Sequence, residues 1–349
     1  MPWVCHMKDY HLSVSGDYFP VPLARASPLE NRHHLVFGKG MVSDDTEHTY
    51  MVAQSLIIAA GNPDLFTRNL AGRLRWWLVR LPAGVGFATL RSIGKLWLGF
   101  SPHHSGVYSA GNGAAMRSAI IGVCYGDRPQ LMVEMVQCST RITHRDPKAE
   151  FGAIAVGLAA YLSSTDRSIN YDEYFDLLSK LLPPTATEFL ALIDLAIVSV
   201  KAHETTPEFA INMGWKRGIS GYVYQTVPIA IHAWLSHPEN YRDAILAVIK
   251  CGGDTDTTAA IVGGIIGSRV GKIGIPIDWL INLAEFPCNI NYLEKLGARL
   301  AVTILNERDY STDRKNKQSP PSLPVYLVCL RNLFFLLVVI LHGFRRCFP

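Results

Sequence analysis

Apolar residues recur at helical spacing along almost the whole chain, while the strict alternation of a half-buried strand is scarce. Residues 46–60, TEHTYMVAQSLIIAA, combine helix formers with an apolar stripe and stop at Gly61. Residues 148–162 follow Asp146-Pro147, a common helix opening. Residues 187–203 are strongly periodic, and 239–250 run from Pro238 to the pair Gly252-Gly253. Residues 255–270, TDTTAAIVGGIIGSRV, are so small and apolar that they predict a central helix, tightly surrounded, because Gly and Ala let another backbone come close. No Asn-Gly hairpin sits between alternating runs, and no internal repeat is visible. The pattern predicts an all-α protein.

Its boundaries follow from the breaks in that pattern. Residues 1–35 have little periodicity and read as irregular, with one helical domain over 36–307. Residues 308–324, RDYSTDRKNKQSPPSLP, are charged and proline-rich and read as a linker. An apolar C-terminal helix is expected over 325–349. Its core, VYLVCLRNLFFLLVVILHGF (325–344), has the look of a membrane span, but Arg331 and Asn332 interrupt it. A spanning helix needs about 20 mostly apolar residues, so a packed helix is favoured over membrane association through 325–344.

Composition adds little to this. Apolar residues make up 49% of the chain and charged ones 18%, which suits a sizeable core. The net charge of +4, without a basic stripe interleaved with aromatics, gives no support to nucleic-acid binding. The seven cysteines are scattered, with no CxxC and no zinc spacing, and read as free thiols in a reducing compartment. The N-terminus lacks the apolar stretch of a signal peptide, so a cytoplasmic protein is expected.

The candidate chemistry lies in two short segments. Ser43-Asp44-Asp45-Thr46-Glu47 opens one predicted helix, and Gly252-Gly253-Asp254-Thr255-Asp256-Thr257-Thr258 opens another. Helix capping accounts for one such residue per helix. Paired carboxylates repel each other unless a cation or donors compensate, and hard oxygen ligands suit Mg²⁺ or Mn²⁺. On the residues alone, capping and a metal site both stand.

The segments SDDTEHTYMVAQSL (43–56), SAGNGAAMRSA (109–119), ITHRDPKAEFGAIAVGLA (142–159) and GGDTDTTAAIVGGIIG (252–267) resemble, in order, the hallmark blocks of the ADP-ribosylglycohydrolase family. That family includes the dinitrogenase reductase-activating glycohydrolase, and the resemblance covers roughly residues 35–285. It implies a compact, single-domain orthogonal helical bundle with two Mg²⁺ ions (Mn²⁺ as an alternative) in a cleft. By resemblance, Ser43, Asp44, Asp45, Asp254, Asp256 and Thr257 are the metal ligands. Asp45 and Asp256 are the anions expected nearest the attacking water. The Gly-Asn-Gly segment allows a nest of N–H groups for a diphosphate, so Ser109, Gly111, Asn112 and Gly113 fall on the substrate side, with His144. His48 and Cys251 read as structural. The implied reaction is hydrolysis of the glycosidic bond of an ADP-ribosyl group on a protein side chain, or of a related ADP-ribose derivative.

One departure bears on function. Family members open with a helix carrying Gly-Asp-Ala-Leu-Gly and a nearby Glu. Here Gly16-Asp17-Tyr18-Phe19-Pro20 leads into no matching helix, and Glu30 has no matching context. An active hydrolase and a non-catalytic ADP-ribose-binding protein are therefore both open, with a purely structural use of the scaffold as a third reading. Acceptor specificity is expected in loops around the cleft within 62–105. There, Arg73, Arg75, Trp76 and Trp77 either line a rim or pack inside.

Overall fold

The computed structural model describes residues 40–82, 84–165, 167–283, 285–308 and 319–347, with side-chain surroundings up to Ile340, Val339 apart. The expectations for 1–35, including Gly16, Asp17 and Glu30, and for 309–318 lie outside the described residues.

Among the described residues the chain is helical, with isolated bridges and no sheet. The first half comprises α1 (Asp44–Ala59), α2 (Pro63–Val79), α3 (Phe87–Trp97), α4 (Pro102–Ser105), α5 (Ala119–Tyr125), α6 (Pro129–Thr143), α7 (Pro147–Ser163) and α8 (Tyr171–Leu181). The second half comprises α9 (Thr187–Lys201), α10 (Thr206–Asn212), α11 (Val223–Ser236), α12 (Tyr241–Cys251), α13 (Thr255–Val270), α14 (Ile277–Ile281), α15 (Ile290–Arg308) and α16 (Val325–Cys347). The five helices foreseen from periodicity are all present. Helix α1 ends where Ala60 turns to φ +42° and bonds back to the Leu56 carbonyl at 2.9 Å. Helix α7 starts where the Asp146 side chain accepts the Lys148 N–H at 2.9 Å.

The core is built around α7 and α13, which are buried along nearly their whole length. Their small residues make this possible. A Cβ on Gly122 of α5 would fall 1.8 Å from the Gly157 carbonyl of α7, so those two backbones touch directly. A Cβ on Gly152 would fall 2.3 Å from Val223 of α11. Helix α13 is thus the central helix that its composition predicted, and its N-terminus carries Asp254 and Asp256.

Two segments differ from expectation. Residues 62–105 are largely helical rather than a set of loops. Asn62 caps the Leu65 N–H at 2.9 Å and Pro63 occupies the first helical turn, a start signal that the polar stretch obscured. The C-terminal helix is also packed in an unforeseen sense. Arg331 and Asn332, the interruptions in its apolar run, face inward and are buried, while Leu330, Leu333, Phe334 and Leu337 face outward. Among the described residues no helix is long and apolar enough to cross a membrane.

Candidate active site

The two acidic segments meet. At the start of α1, the Ser43 side chain does not cap the helix; its hydroxyl donates to Asp45 Oδ2 at 2.5 Å. At the start of α13, the Asp254 side chain does not cap either. Elsewhere in the chain Asn62, Asp146, Asn170, Thr205 and Asn240 all cap their helices by side chain. Ser101 and Ser118 make no side-chain cap either, so what sets the acidic starts apart is that their side chains act on one another. Thr257 lies close enough to both Asp45 and Asp254 to hold their pKa values down, and Asp256 acts on both in the opposite sense.

Burial dominates the electrostatics. It is the main cause that lifts Asp44 to about 8, with Asp45, Glu47 and Asp256 adding to it. It likewise lifts Asp45 to about 7, opposed by the Ser43 hydroxyl and reinforced by Asp256 and Asp254. Asp254 is raised by burial, against the Asn112 amide that donates to its Oδ2 at 2.8 Å. Asp45 is wholly buried, and its Oδ1 has no hydrogen-bond partner. Such a group is costly unless something positive approaches it. Among the described residues no group of three or more His, Cys, Asp or Glu side chains is arranged so that it could hold a metal ion as it stands.

The loop that carries Asp254 depends on glycine. Gly253 sits at φ +81°, and a Cβ there would lie 2.1 Å from the Ile219 carbonyl. That carbonyl accepts the Asp254 N–H at 2.6 Å, which fixes the turn against residues 218–219.

The Gly-Asn-Gly segment stands beside the carboxylates but is not the anticipated nest. The Asn112 N–H is taken by the Gly221 carbonyl at 2.9 Å, and neither Gly111 nor Gly113 has positive φ. Their purpose is clearance. A Cβ on either would lie 3.1 Å from the His144 ring, at Nε2 for Gly111 and Cε1 for Gly113. Asn112 instead turns its side-chain amide to Asp254 and to Thr226 Oγ1, at 3.2 Å. Ser109 is partly exposed beside this loop. His144 is buried and hydrogen-bonds the Thr143 hydroxyl at 2.8 Å; burial, then Arg117, lowers its pKa to about 3, so its ring is neutral.

Two surface hollows, of about 480 and 340 Å³, are lined respectively by Ser236–Arg242 with Gly274 and by Leu283, Glu285 and Asn289–Asn291. None of the predicted site residues borders either of them.

Set beside known proteins, residues 11–310 match the sequence model of the ADP-ribosylglycohydrolase family. The chain belongs to that family. Among its relatives is the ADP-ribosyl-[dinitrogen reductase] glycohydrolase of Rhodospirillum rubrum, 24% identical over 247 residues, which span 70% of this chain and 74% of that protein. Another is ADP-ribosylhydrolase ARH3 of Xenopus tropicalis, 26% identical over 288 residues, spanning 73% and 80% respectively. A solved ADP-ribosylglycohydrolase-related protein complex shares the fold at a TM-score of 0.56 and 20% identity, covering 83% of this chain and 94% of that one.

In this member of the family, sequence reasoning missed two arginines that brace the candidate site. Arg117 lies inside the block containing Gly111–Gly113 and is fully buried. It donates to the Gly113 carbonyl at 3.0 Å, the Ser139 carbonyl at 2.8 Å and the Thr143 hydroxyl at 2.6 Å, and lies 3.2 Å from His48 Nδ1. A lone Arg in an otherwise small, apolar stretch was the available signal. Arg331 arrives from α16. It pairs with Glu47 at 3.0 Å and Glu285 at 2.9 Å, and donates to the Val42 carbonyl at 2.9 Å. Glu285 also accepts the Val42 N–H at 3.0 Å. The residue just before Ser43-Asp44-Asp45 is thus held on both sides. Trp77 packs inside, donating to Glu47 at 2.6 Å, whereas Trp76 is exposed. The packing reading of that cluster holds for Trp77 and not for Trp76. Cys124, Cys138, Cys251, Cys288 and Cys329 are free thiols.

Proposed function

We propose that this protein hydrolyses the glycosidic bond of ADP-ribosyl groups on protein side chains, or of a related ADP-ribose derivative, using a two-ion Mg²⁺ site. The observation that carries this reading is the pair of acidic helix starts that forgo capping and face each other. The donor set fits the cation. Two hydroxyls and four carboxylates are all hard oxygen ligands, and the orphaned Asp45 Oδ1 lacks only a positive partner. Ser43, Asp44, Asp45, Asp254, Asp256 and Thr257 would hold the ions, with Mn²⁺ able to replace Mg²⁺. Bound there, the metal would grip the ribose diol and acidify a water.

The remaining roles belong to the chain's own residues. Hydrolysis breaks the bond from ribose C1″ to the acceptor atom and forms a bond from C1″ to the oxygen of water, through an oxocarbenium-like state. Asp256 keeps partial exposure where Asp45 has none, so we assign Asp256 to take the proton of the attacking water. Asp45 stays as the buried anion that offsets positive charge developing at C1″. Asn112 orients Asp254, and Ser109, Gly111, Gly113 and His144 line the substrate side. The neutral His144 is a hydrogen-bonding group rather than a cation there.

The test is release of free ADP-ribose from an arginine- or serine-linked ADP-ribosyl peptide. Turnover in Mg²⁺ should vanish in chelator, and Asp256→Asn should lower kcat by about 100-fold or more. Tight ADP-ribose binding without turnover in Mg²⁺ would instead establish a binding protein. Full turnover in Asp254→Ala would refute the site.

A further inference from the structure

Helix α3 buries Thr89, Ser92, Ile93 and Leu96 against the body. The opposite face of such a helix is ordinarily polar. Here it presents Phe87, Leu90, Trp97 and the following Leu98 to solvent, with Phe87 73% and Leu98 79% exposed. Trp76 of α2 extends this surface, meeting the Trp97 ring edge-on at 5.5 Å.

Cations lie over these rings. The Arg75 guanidinium is 4.7 Å from the Trp97 centroid, Arg91 is 5.5 Å from Phe87, and the Lys95 ammonium is 5.2 Å from Phe100. No Asp or Glu occurs between Asp64 and Asp127, while Arg68, Arg73, Arg75, Arg80, Arg91 and Lys95 all fall in the first half of that interval. Among the described residues none of Arg75, Arg91 and Lys95 forms an ion pair. Exposed aromatics with arginine are the composition of a protein-binding surface.

The face is continuous with the carboxylate site. A Cβ on Gly84, three positions before Phe87, would lie 3.3 Å from Asp44 Oδ1. A Cβ on Gly113 would lie 3.7 Å from the Thr89 hydroxyl in the first turn of α3. From that end, eleven residues of helix carry the apolar stripe outward by about 16 Å. A free nucleotide derivative brings no chain to cover such a length.

We propose that the outer face of α2 and α3 docks the acceptor as a polypeptide, an acidic and partly apolar segment whose modified residue reaches the carboxylates beside Gly84. Its acidic side chains pair with Arg75, Arg91 and Lys95, and its apolar ones cover Leu90, Trp97 and Leu98. The inference rests on the hydrolase reading for the modified residue, but not for recognition of the peptide.

The test is fluorescence anisotropy with a labelled acidic peptide carrying one ADP-ribosyl group, its unmodified form, a basic counterpart and ADP-ribose alone. Leu98→Asp and Arg91→Glu change exposed positions, and circular dichroism verifies their folding. The modified acidic peptide should bind about tenfold tighter than ADP-ribose. Both substitutions should erase that difference and leave ADP-ribose binding unchanged. Equal binding of acidic and basic peptides would overturn the proposal, as would peptide affinity indifferent to both substitutions. Patch-dependent self-association in sedimentation, or patch-dependent capture by anionic vesicles, without peptide binding would also overturn it. If ADP-ribose itself fails to bind, the hydrolase reading falls; weak binding of the unmodified acidic peptide, lost in both variants, would still sustain the docking face.

Discussion

At the scale of single residues, Asp44 and Asp45 hold more protons at neutral pH than aspartates in water. Asp44 and Asp45 rise to about 8 and about 7, against 3.8 for the ordinary side chain, chiefly through burial. Between those limits the folded chain keeps protons that the unfolded chain has released, so stability falls as pH rises. The buried His48, His144 and His232 are all lowered, the last two to about 3 and about 4, and act in the opposite sense until the unfolded histidines, with a value of 6.5, have lost their protons. Across pH 6.5 to 8 that contribution fades while that of the carboxylates persists, so the carboxylates set the sign. In chelator, the Tm from calorimetry should fall across that interval. Saturating Mg²⁺ should remove the fall, because the cation binds the deprotonated form. A Tm that climbs from pH 6.5 to 8 in chelator would contradict this electrostatic account. The identities of these residues could be read from the sequence, since doubled carboxylates exceed what a cap requires. The part played by Gly111 and Gly113 could not, because clearance for the His144 ring depends on a neighbour 31 to 33 positions away.

At the scale of elements, α1, α7, α12 and α13 were located by helix formers bounded by recognisable breaks at Gly61, Asp146-Pro147, Pro238 and Gly252-Gly253, and α9 by its periodicity. The apolar run located α16 as well, but not which of its faces is buried. A hydropathy reading treats Arg331 and Asn332 as defects in an apolar run, whereas in the fold they are buried contacts while Leu330, Leu333, Phe334 and Leu337 face outward. Arg331 answers two buried carboxylates, Glu47 and Glu285, from distant parts of the chain. Removing one member of a buried ion cluster strands the others, at a cost of about 3–5 kcal/mol. Arg331→Met should therefore lower unfolding stability in urea by about that amount. It should also weaken Mg²⁺ binding, because Val42 loses one of its two anchors. A stability change under about 1 kcal/mol would show that α16 is a dispensable appendage.

At the scale of the whole molecule, the fold was legible because four blocks in order specify it and because small residues mark the helices that must approach most closely. The candidate site was legible in composition, and its arrangement only through the family resemblance. The spacing of the residues alone does not place 43–45 beside 254–257; that depends on α13 running through the core and on the glycine turn at 252–253. The most direct measurement is anomalous diffraction at the manganese edge from crystals grown with Mn²⁺. The account predicts manganese peaks among Asp44, Asp45, Asp254 and Asp256, and their loss in Asp254→Ala crystals. An ordered structure at saturating Mn²⁺ with no anomalous density between those aspartates would contradict it.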